Sequence, residues 1–563
     1  MYLRTTRRRN KDGSVVAYYQ LAETRWDPAK RRPTAQIIHN FGRADALDRD
    51  ALVRLARSIT RVCHGGLDVP EEVAPPGEAL ELEWARPLGV VHVARALWEE
   101  LGIGAVLRNL ERPGPRRAPH ELALFTMVAN RLAEPLSTLA CDEHWRPERV
   151  YLPEAEELTL EQLSCALDFL DTHIDAIEGE IFFRTADLFR ADVDLIFWDT
   201  TTVSFEVDQE DATDETRRGK PLPPLRQRGY NKEGHDYTPQ VVVGLALTRD
   251  GLPVRSWVFP GNTVDATTVA QVKESLRGWQ LGQAIFVGDA GMDSEANRQE
   301  LAKGLGHYIL AMPMGKLAEV QQEVLARPGR FHKVTDHLEV KEAVVGDGAR
   351  QRRSLVCRNL EEAKRQRQHR EEVLGALRQE LTRLDPQAPE HSKRACELVA
   401  SRRYGRYLRR GPGGRLAIEQ GAVQRAARMD GKYVLLTNDD TLSPEDVGLG
   451  YQAMLRIEAC FRRLKTTGLR IRPVYHWTAH RIASQVKLCV LALLLQRAAE
   501  MRTGDTWRNI RLILDEIKAV RYRVRGTTIV QSTRLTPPAS ALLKKLQVAP
   551  PAHRLAVERE APS

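Results

Sequence analysis

Five short apolar segments between residues 193 and 311 limit what this 563-residue chain can fold into. Each is rich in β-branched, leucine or aromatic residues, which is the pattern of a buried strand. The first three follow one another without a helical pattern between them, whereas a helical pattern precedes both the fourth and the fifth. This order predicts an α/β core built on a mixed sheet. The five segments are 193–198, 238–247, 252–259, 284–287 and 307–311.

The remaining sequence divides into further regions. Alternating apolar residues around 15–21 and 35–42 predict a small β module, and helical periodicity from about 85 to 190 predicts a mostly helical domain. A charged helical stretch at 361–383 and a strand-like run at 433–437 interrupt the α/β order, which predicts an insertion. The expected regions are a β module (1–65), a helical domain (66–190), the first part of the core (191–315), an insertion subdomain (316–448), the second part of the core (449–500) and a basic C-terminal region (501–563).

Composition narrows the class of protein. Hydrophobic residues make up 42% of the chain and charged residues 28%, which excludes a disordered protein. The longest apolar run, 488–495, is about half as long as a membrane helix needs to be, so no membrane partner is expected. Seven cysteines without a C-x-x-C pair predict a reduced, cytosolic chain without structural zinc.

The net charge of +9 conceals an uneven distribution. Residues 461–550 contain 18 basic and 4 acidic residues, a net of +14, while residues 151–200 contain 13 acidic and 2 basic residues, a net of −11. Charge runs usually form solvated faces, but this excess of cations favours an extended polyanion as partner. Nucleic acid is therefore the expected partner.

Two aspartates stand where apolar strands are predicted to end. Asp199 follows the first segment and Asp289 follows the fourth. Carboxylates at neighbouring strand ends present oxygen ligands of the kind that hard divalent cations prefer. A single aspartate at such a position is more often a turn or cap residue, and Asp265 is expected to cap a helix.

A predicted helix at 450–464, followed later by an apolar helix at 482–497, carries two stripes of side chains. One stripe is apolar and is expected to face the core, and the other is polar and runs along its edge. Glu458 of the polar stripe would lie beside the polar groups at the edge of the core, unless it only forms a solvated ion pair with Arg462. The apolar stripe is Met454, Ile457, Phe461 and Leu464, and the polar stripe is Tyr451, Glu458, Arg462 and Lys465.

Together these segments resemble the cut-and-paste DDE transposases of bacterial insertion sequences, in particular the branch with a Tyr-Arg-Glu-Lys signature. The likeness covers roughly residues 190–500 and extends more weakly towards the N-terminus. The arginine of the signature is Met454 in this chain, so Arg462 is the candidate to make its phosphate contact. The likeness is carried by Asp199-Thr-Thr-Thr, Phe259-Pro-Gly-Asn-Thr-Val-Asp265, Gly288-Asp-Ala-Gly-Met and the spacing Tyr451-x6-Glu458-x6-Lys465.

The resemblance implies a ribonuclease-H-like catalytic core with a mixed sheet, interrupted by an insertion and preceded by the β module and a helical DNA-binding domain. It also implies that Asp199, Asp289 and Glu458 hold two divalent cations per active site, Mg²⁺ or Mn²⁺. Two such ions activate the attacking oxygen and stabilise the leaving oxygen during displacement at phosphorus. Tyr451 and Lys465 would then contact DNA phosphates.

The expected activity is cleavage at terminal inverted repeats and joining of the 3′ ends to target DNA. Lys232, in the loop 228–232, is a further candidate for a phosphate contact. The expected partners are double-stranded DNA, as transposon ends and target, and a second copy of the chain in a homodimer on paired ends, in the bacterial cytoplasm at the nucleoid. Two alternatives remain: a metal-dependent nuclease without strand transfer, and a catalytically lapsed DNA-binding protein derived from a transposase.

Overall fold

The computed structural model of the chain forms two units, Met1–Ala79 and Leu80–Ser563. The expected boundaries at 65 and 190 and the start of the insertion at 316 lie outside the described residues. The structure describes residues 2–9, 15–27, 32–43, 80–111, 118–189, 193–212, 216–217, 220–221, 224–232, 234, 237–279, 281, 284–313, 324–325, 327–345, 352–384, 391–411, 415–469, 471, 474, 476, 478–524 and 527–559.

The first unit contains a three-stranded antiparallel sheet. Its strands are β1 (Tyr2–Arg9), β2 (Val15–Asp27) and β3 (Arg32–Arg43), in the order β1-β2-β3. The two predicted strands of the β module thus correspond to β2 and β3. Gly42 takes a positive φ of 91°, which glycine adopts without strain, where the pairing of β2 and β3 shifts register.

The second unit is built around a nine-stranded mixed sheet, the central sheet, in which all five predicted core strands occur. Its strand order is β12-β13-β14-β17-β11-β10-β5-β8-β9. β5 and β10, and β10 and β11, are parallel pairs, whereas β5, β8 and β9 form an antiparallel meander. The strands are β5 (Leu195–Ser204), β8 (Gln240–Thr248), β9 (Pro253–Pro260), β10 (Ile285–Gly288), β11 (Tyr308–Met312), β12 (His332–Lys333), β13 (Leu338–Val345), β14 (Arg352–Asn359) and β17 (Lys432–Thr437). In the chain segment that connects β5 to β8, two short strands, β6 (Thr216–Arg217) and β7 (Lys220–Pro221), pair with each other.

The segment predicted as an insertion contributes strands to the central sheet instead of forming only a separate subdomain. β17 lies between β11 and β14 and pairs antiparallel with both. Its residues Val434, Leu435 and Leu436 are buried on both faces, and such a continuous apolar run suits the middle of a sheet. The predicted strand at 433–437 is therefore part of the core.

Helices cover both faces of the central sheet. Three helices in the first half of the unit are α1 (Gly89–Glu100), α2 (Ile103–Leu110) and α3 (His120–Ala133), and a long helix, α4 (Leu160–Phe189), follows them. The others are α5 (Asp265–Arg277), α6 (Glu295–Ala302), α7 (Leu360–Thr382), α8 (His391–Ala400), α9 (Gln420–Met429), α10 (Pro444–Gln452), α11 (Met454–Arg462), α12 (Ala479–Thr503), α13 (Trp507–Leu514) and α14 (Pro537–Leu546).

Alternation along the strands separates two hydrophobic clusters. On β5, Leu195 and Phe197 belong to the cluster formed with α11 and α12, and this side is called the α12 face. Ile196 and Trp198 belong to the cluster formed with α5 and α6, which is called the α5 face. Side chains of a strand alternate between the faces, so Asp199 falls on the α12 face.

A second, four-stranded sheet joins the two ends of this unit. Its order is β20-β19-β18-β4, and β4 pairs antiparallel with β18. The amide of Leu88 also donates to the carbonyl of Ile517 at 2.9 Å. Its strands are β4 (Glu81–Pro87), β18 (Lys518–Val524), β19 (Thr527–Ser532) and β20 (Arg554–Arg559).

Helix α12 is long and apolar enough, by length and composition, to cross a membrane. Most of its apolar window is nevertheless buried inside the protein. Leu493 and Leu495 are fully buried, and α4, α3 and β9 pack against the helix. This is the setting of a core helix.

The two segments of opposite charge pack against each other. Arg481 of α12 binds Asp168 of α4 through Nε at 3.0 Å, and His480 contacts the same carboxylate at 2.9 Å. Lys487 of α12 lies 3.0 Å from Oε1 of Glu178, in the interior. Part of the charge contrast between 151–200 and 461–550 is therefore neutralised by ion pairs inside the protein.

Candidate active site

Asp199 lies in the middle of β5, so the prediction that it ends the strand is wrong. The strand continues to Ser204 because Thr200, Thr201 and Thr202, although polar, are β-branched and stay in the ladder with β8. All three threonines are buried. Asp199 therefore lies within the β5–β8 ladder, opposite Leu245.

Asp289 directly follows β10, as predicted. Gly288 is the register partner of Trp198 on the parallel strand β5, so Asp289 and Asp199 are the next positions along neighbouring strands. Parallel partners point to the same face, which brings the two carboxylates together. Asp289 also begins a short 3₁₀ turn, and its Oδ1 accepts from the amide of Gly291 at 3.0 Å. This hydrogen bond orients the carboxylate of Asp289, which still lies beside Asp199.

A lysine and a third aspartate complete this group. The Nζ atom of Lys232 lies 2.9 Å from Oδ2 of Asp265 and 3.5 Å from Oδ1 of Asp199. Lys232 also donates to the carbonyl of Thr200 at 2.8 Å, and the Thr200 hydroxyl donates to Asp265. Lys232, predicted to meet a phosphate from a surface loop, thus reaches into the site. Asp199, Asp265, Asp289 and Lys232 are called the carboxylate cluster below.

Asp265 is not the helix cap that the sequence predicted. Val264 occupies the N-cap position of α5 without a side-chain hydrogen bond, and Asp265 is the first helical residue. Its carboxylate faces Lys232 and Thr200 instead. The sequence offered one signal for this role, an aspartate shortly after a buried strand, but the same signal marks an ordinary cap.

Burial and mutual repulsion make the ionised forms of Asp199 and Asp289 unfavourable. Burial raises the pKa of Asp199 to about 7, the Lys232 ammonium opposes this rise, and the charge of Asp289 adds to it. Burial likewise raises the pKa of Asp289, again opposed by Lys232. Burial lowers the pKa of Lys232, but the surrounding carboxylates outweigh it and the net shift is upward.

Glu458 lies on α11, which packs against β5. The single helix predicted at 450–464 is wrong, because α10 ends at Gln452, α11 begins at Met454 and Arg463–Thr467 form a π-helical segment. The predicted apolar stripe is nevertheless buried along its whole length. The side chain of Glu458 is exposed. Within the described ranges, no three His, Cys, Asp or Glu side chains converge closely enough to hold a metal ion.

The charges of Asp199, Asp289 and Glu458 all act on the phenol of Tyr451. Burial raises the pKa of Tyr451, and the negative charges of Asp289, Asp199 and Glu458 raise it further. The phenol therefore stays protonated and can donate a hydrogen bond. Its ring lies 5.5 Å from that of Tyr433.

The other predicted DNA contacts lie further along the same chain segment. Arg462 ends α11 and is exposed, whereas Lys465 is half-buried in the π-helical segment. Met454, at the position of the signature arginine, is buried against the core. A charged side chain at that position would be costly to bury, which explains why methionine suits it.

Two family models match the chain. Residues 198–495 match the transposase DDE domain, and residues 3–71 match the N-terminal domain of IS1634 family transposases. The first match begins one residue before Asp199 and spans Asp289 and Glu458. No curated protein is similar enough to the sequence to match it.

A solved structure is also similar to the chain. It is a cryo-EM structure of the piggyBac transposase synaptic complex with hairpin DNA, with a TM-score of 0.33 and 9% identity, covering 83% of this chain and 85% of that chain. A likeness at this level carries no argument about the site. The DDE domain match, in contrast, covers more than half of the sequence. The chain therefore belongs to the transposase DDE domain family and is an insertion-sequence DDE transposase.

Proposed function

We propose that this transposase cleaves DNA at the terminal inverted repeats of its element and joins the freed 3′ ends to target DNA. The observation that supports this most directly is the register of β5 and β10, which sets Asp199 beside Asp289 on the face covered by α11. The mixed sheet around them fits a ribonuclease-H-like core. In this proposal Asp199, Asp289 and Glu458 are the catalytic carboxylates.

The carboxylate cluster has the chemistry to hold divalent cations. Its donors are carboxylate oxygens, which Mg²⁺ and Mn²⁺ prefer, and burial makes their charge unfavourable unless a cation is near. The ammonium of Lys232 supplies positive charge at this place. We propose that Asp199 and Asp289 hold two such ions together with Glu458. When bound, the ions activate the attacking oxygen and stabilise the leaving oxygen.

The surrounding side chains would position DNA. The protonated phenol of Tyr451 can donate to a phosphate oxygen beside the carboxylates. Arg462 and Lys465 would contact the backbone further along, with Arg462 taking the place of the signature arginine that Met454 replaces. Lys232 would meet the phosphate only at the carboxylate cluster itself. Because cut-and-paste transposition joins two ends, we propose that a homodimer acts on paired ends, in the cytoplasm at the nucleoid.

Cleavage of a duplex that carries the terminal repeat flanking the gene tests this proposal. Asp199→Asn is expected to abolish Mg²⁺-dependent nicking while retaining duplex binding. Asp194→Asn, five positions earlier on the surface and paired with Arg249, is the matched control and is expected to cleave like the wild type. Cleavage by Asp199→Asn at the wild-type rate would show that the carboxylates are assigned wrongly.

A second assay separates transposition from simple nuclease activity. It offers the protein a pre-cleaved end with a free 3′ hydroxyl, together with a supercoiled plasmid as target. Joined products support strand transfer. Nicking of the terminal repeat without any joined product would favour the nuclease.

A further inference from the structure

Part of the positive charge predicted to bind DNA is paired with carboxylates of the protein itself. Six cations of the segment 461–550 have carboxylate partners at 2.6–3.0 Å, which lie on α1, α4, β4 or α12 itself. Charges paired in this way add little to the attraction of a polyanion. These cations are Arg463, Arg481, Lys487, Arg497, Arg502 and Arg521.

An uncompensated positive surface lies elsewhere, between α8 and α9. Residues 401–418 contain six arginines and neither Asp nor Glu. All six are exposed. In the part of the chain that the structure describes, none of them forms an ion pair. Two nearby acids are engaged with other cations, Glu419 with Arg425 at 2.8 Å and Glu380 with Arg394 at 3.0 Å. The six, called the arginine surface, are Arg402, Arg403, Arg406, Arg409, Arg410 and Arg415.

The arginine surface is mounted on a packed scaffold. Its strands β15 (Leu408–Arg410) and β16 (Leu416–Ile418) pair antiparallel, with Arg409 opposite Ala417. Tyr407, 2% exposed, anchors the hairpin in a small core with Leu377 and Val373 of α7. The amide of Glu419 also donates to the carbonyl of Tyr407 at 2.8 Å. The cations are thus presented on an ordered element.

We propose that the arginine surface binds the phosphate backbone of duplex DNA, as a contact separate from the carboxylate cluster and from the segment 461–550. Guanidinium groups make paired hydrogen bonds to phosphate oxygens, and the surface has no acidic residue to repel the backbone. The proposal deepens the proposed function, because it adds a second DNA contact to the same enzyme. The DNA bound there is either the transposon end or the target.

The salt dependence of binding tests the proposal in the full-length protein. The variant R409Q/R410Q is measured on two probes without divalent cations: a duplex with the terminal repeat and a duplex of random sequence. Each lost phosphate contact lowers the slope of log K against log salt by about 0.9, so two lost contacts change the response to a fourfold rise in salt by about tenfold. The double variant R277Q/K303Q, which removes two exposed, ion-paired cations, is the matched control and is expected to keep the wild-type slope.

Each outcome decides the proposal. A lower slope on either probe supports the proposal. A slope that falls only for the terminal-repeat duplex assigns the surface to transposon ends, and a slope that falls only for the random duplex assigns it to target DNA. Unchanged slopes on both probes overturn it. R409K/R410K is expected to restore the slope, and failure to do so also overturns a charge-based contact. This assay measures binding and not cleavage, so its result does not depend on an active carboxylate cluster. Failure of the proposed function would instead appear in the cleavage and joining assays.

Discussion

The Nζ atom of Lys232 lies 3.5 Å from Oδ1 of Asp199, so a cation of the protein itself stands among the carboxylates. The buried side chain of Asn231 holds the loop that carries Lys232 in place, because it donates to Ser204 at 2.8 Å and to Gln240 at 2.7 Å. The ammonium is thereby held at the site, and we expect it to compete with a divalent cation for the same oxygens. Metal binding should therefore be coupled to the position of Lys232.

Replacement of Lys232 by methionine should strengthen Mg²⁺ binding. A charge-assisted hydrogen bond is worth about 1.5–3 kcal/mol, so the variant should reach half of its Mg²⁺-induced stabilisation at roughly a tenth of the wild-type concentration. The midpoint temperature of thermal unfolding, titrated with MgCl₂ at pH 8, gives this value. Lys303→Met, at an exposed pair with Glu300, is the control. Equal Mg²⁺ requirements in Lys232→Met and wild type would exclude competition.

Asp199 should make the metal-free protein less stable as the pH rises. Its pKa is raised from 3.8 to about 7, so the folded state holds the proton more tightly than the unfolded state. The stabilisation present below pH 4 is therefore lost between pH 4 and pH 7, on the order of 4 kcal/mol. Asp199→Asn should raise the unfolding temperature in EDTA at pH 8 but not at pH 4. A pH-independent difference between Asp199→Asn and wild type would contradict this, and Asp194→Asn is the matched control.

Gly244 should be needed for the position of Asp199. A Cβ atom at Gly244 on β8 would overlap the indole of Trp198, which is fully buried and contacts Trp257 edge to face at 4.9 Å. Gly244→Ala is expected to cost about 1–3 kcal/mol through overpacking and to disturb the neighbouring Asp199. Thermal unfolding and terminal-repeat cleavage measure the two effects. Gly375→Ala in α7, where a Cβ meets open space, should be neutral or stabilising.

The buried pair of Glu178 and Lys487 should show strong non-additivity. The ammonium also donates to the carbonyl of Ser256, so the pair joins α4, α12 and β9. Lys487→Met leaves the carboxylate of Glu178 buried and should cost about 3–5 kcal/mol, whereas Glu178→Leu/Lys487→Met should cost much less. Thermal unfolding of both single variants and the double variant gives the coupling. Additive losses would show that the pair does not interact, and Arg367→Met at an exposed helix pair should change stability by less than about 0.5 kcal/mol.

The core strands were predictable because they are continuous apolar runs, but their extents were not. The sequence changes from Trp198 to Asp199-Thr-Thr-Thr, and this change of polarity predicts a strand end, although the threonines remain paired with β8. The break at Ala453 lacks a glycine or proline to mark it. Both outcomes depend on tertiary packing that local sequence patterns do not contain.

The residues of the site were predictable by type, whereas their partners were not. Asp199 and Asp289 could be expected to meet because each follows an apolar strand segment of the same predicted sheet. Lys232 and Asp265 join them through a loop and a helix start whose positions depend on Asn231 and Val264. The internal pairing of Arg481 with Asp168 spans 313 positions in the sequence, and no local pattern predicts such a contact.

The pairing of β4 with β18 makes the catalytic unit depend on its own C-terminus. Residues 81–87 have no strand partner until residues 518–524 have been synthesised, and β19 and β20 then extend the same sheet. A nascent chain that has completed the central sheet still lacks the strand that pairs with β4, and it also lacks α13 and α14, which pack against α12. Premature termination soon after Glu458 would therefore leave every proposed catalytic carboxylate encoded but β4 without its partner strand.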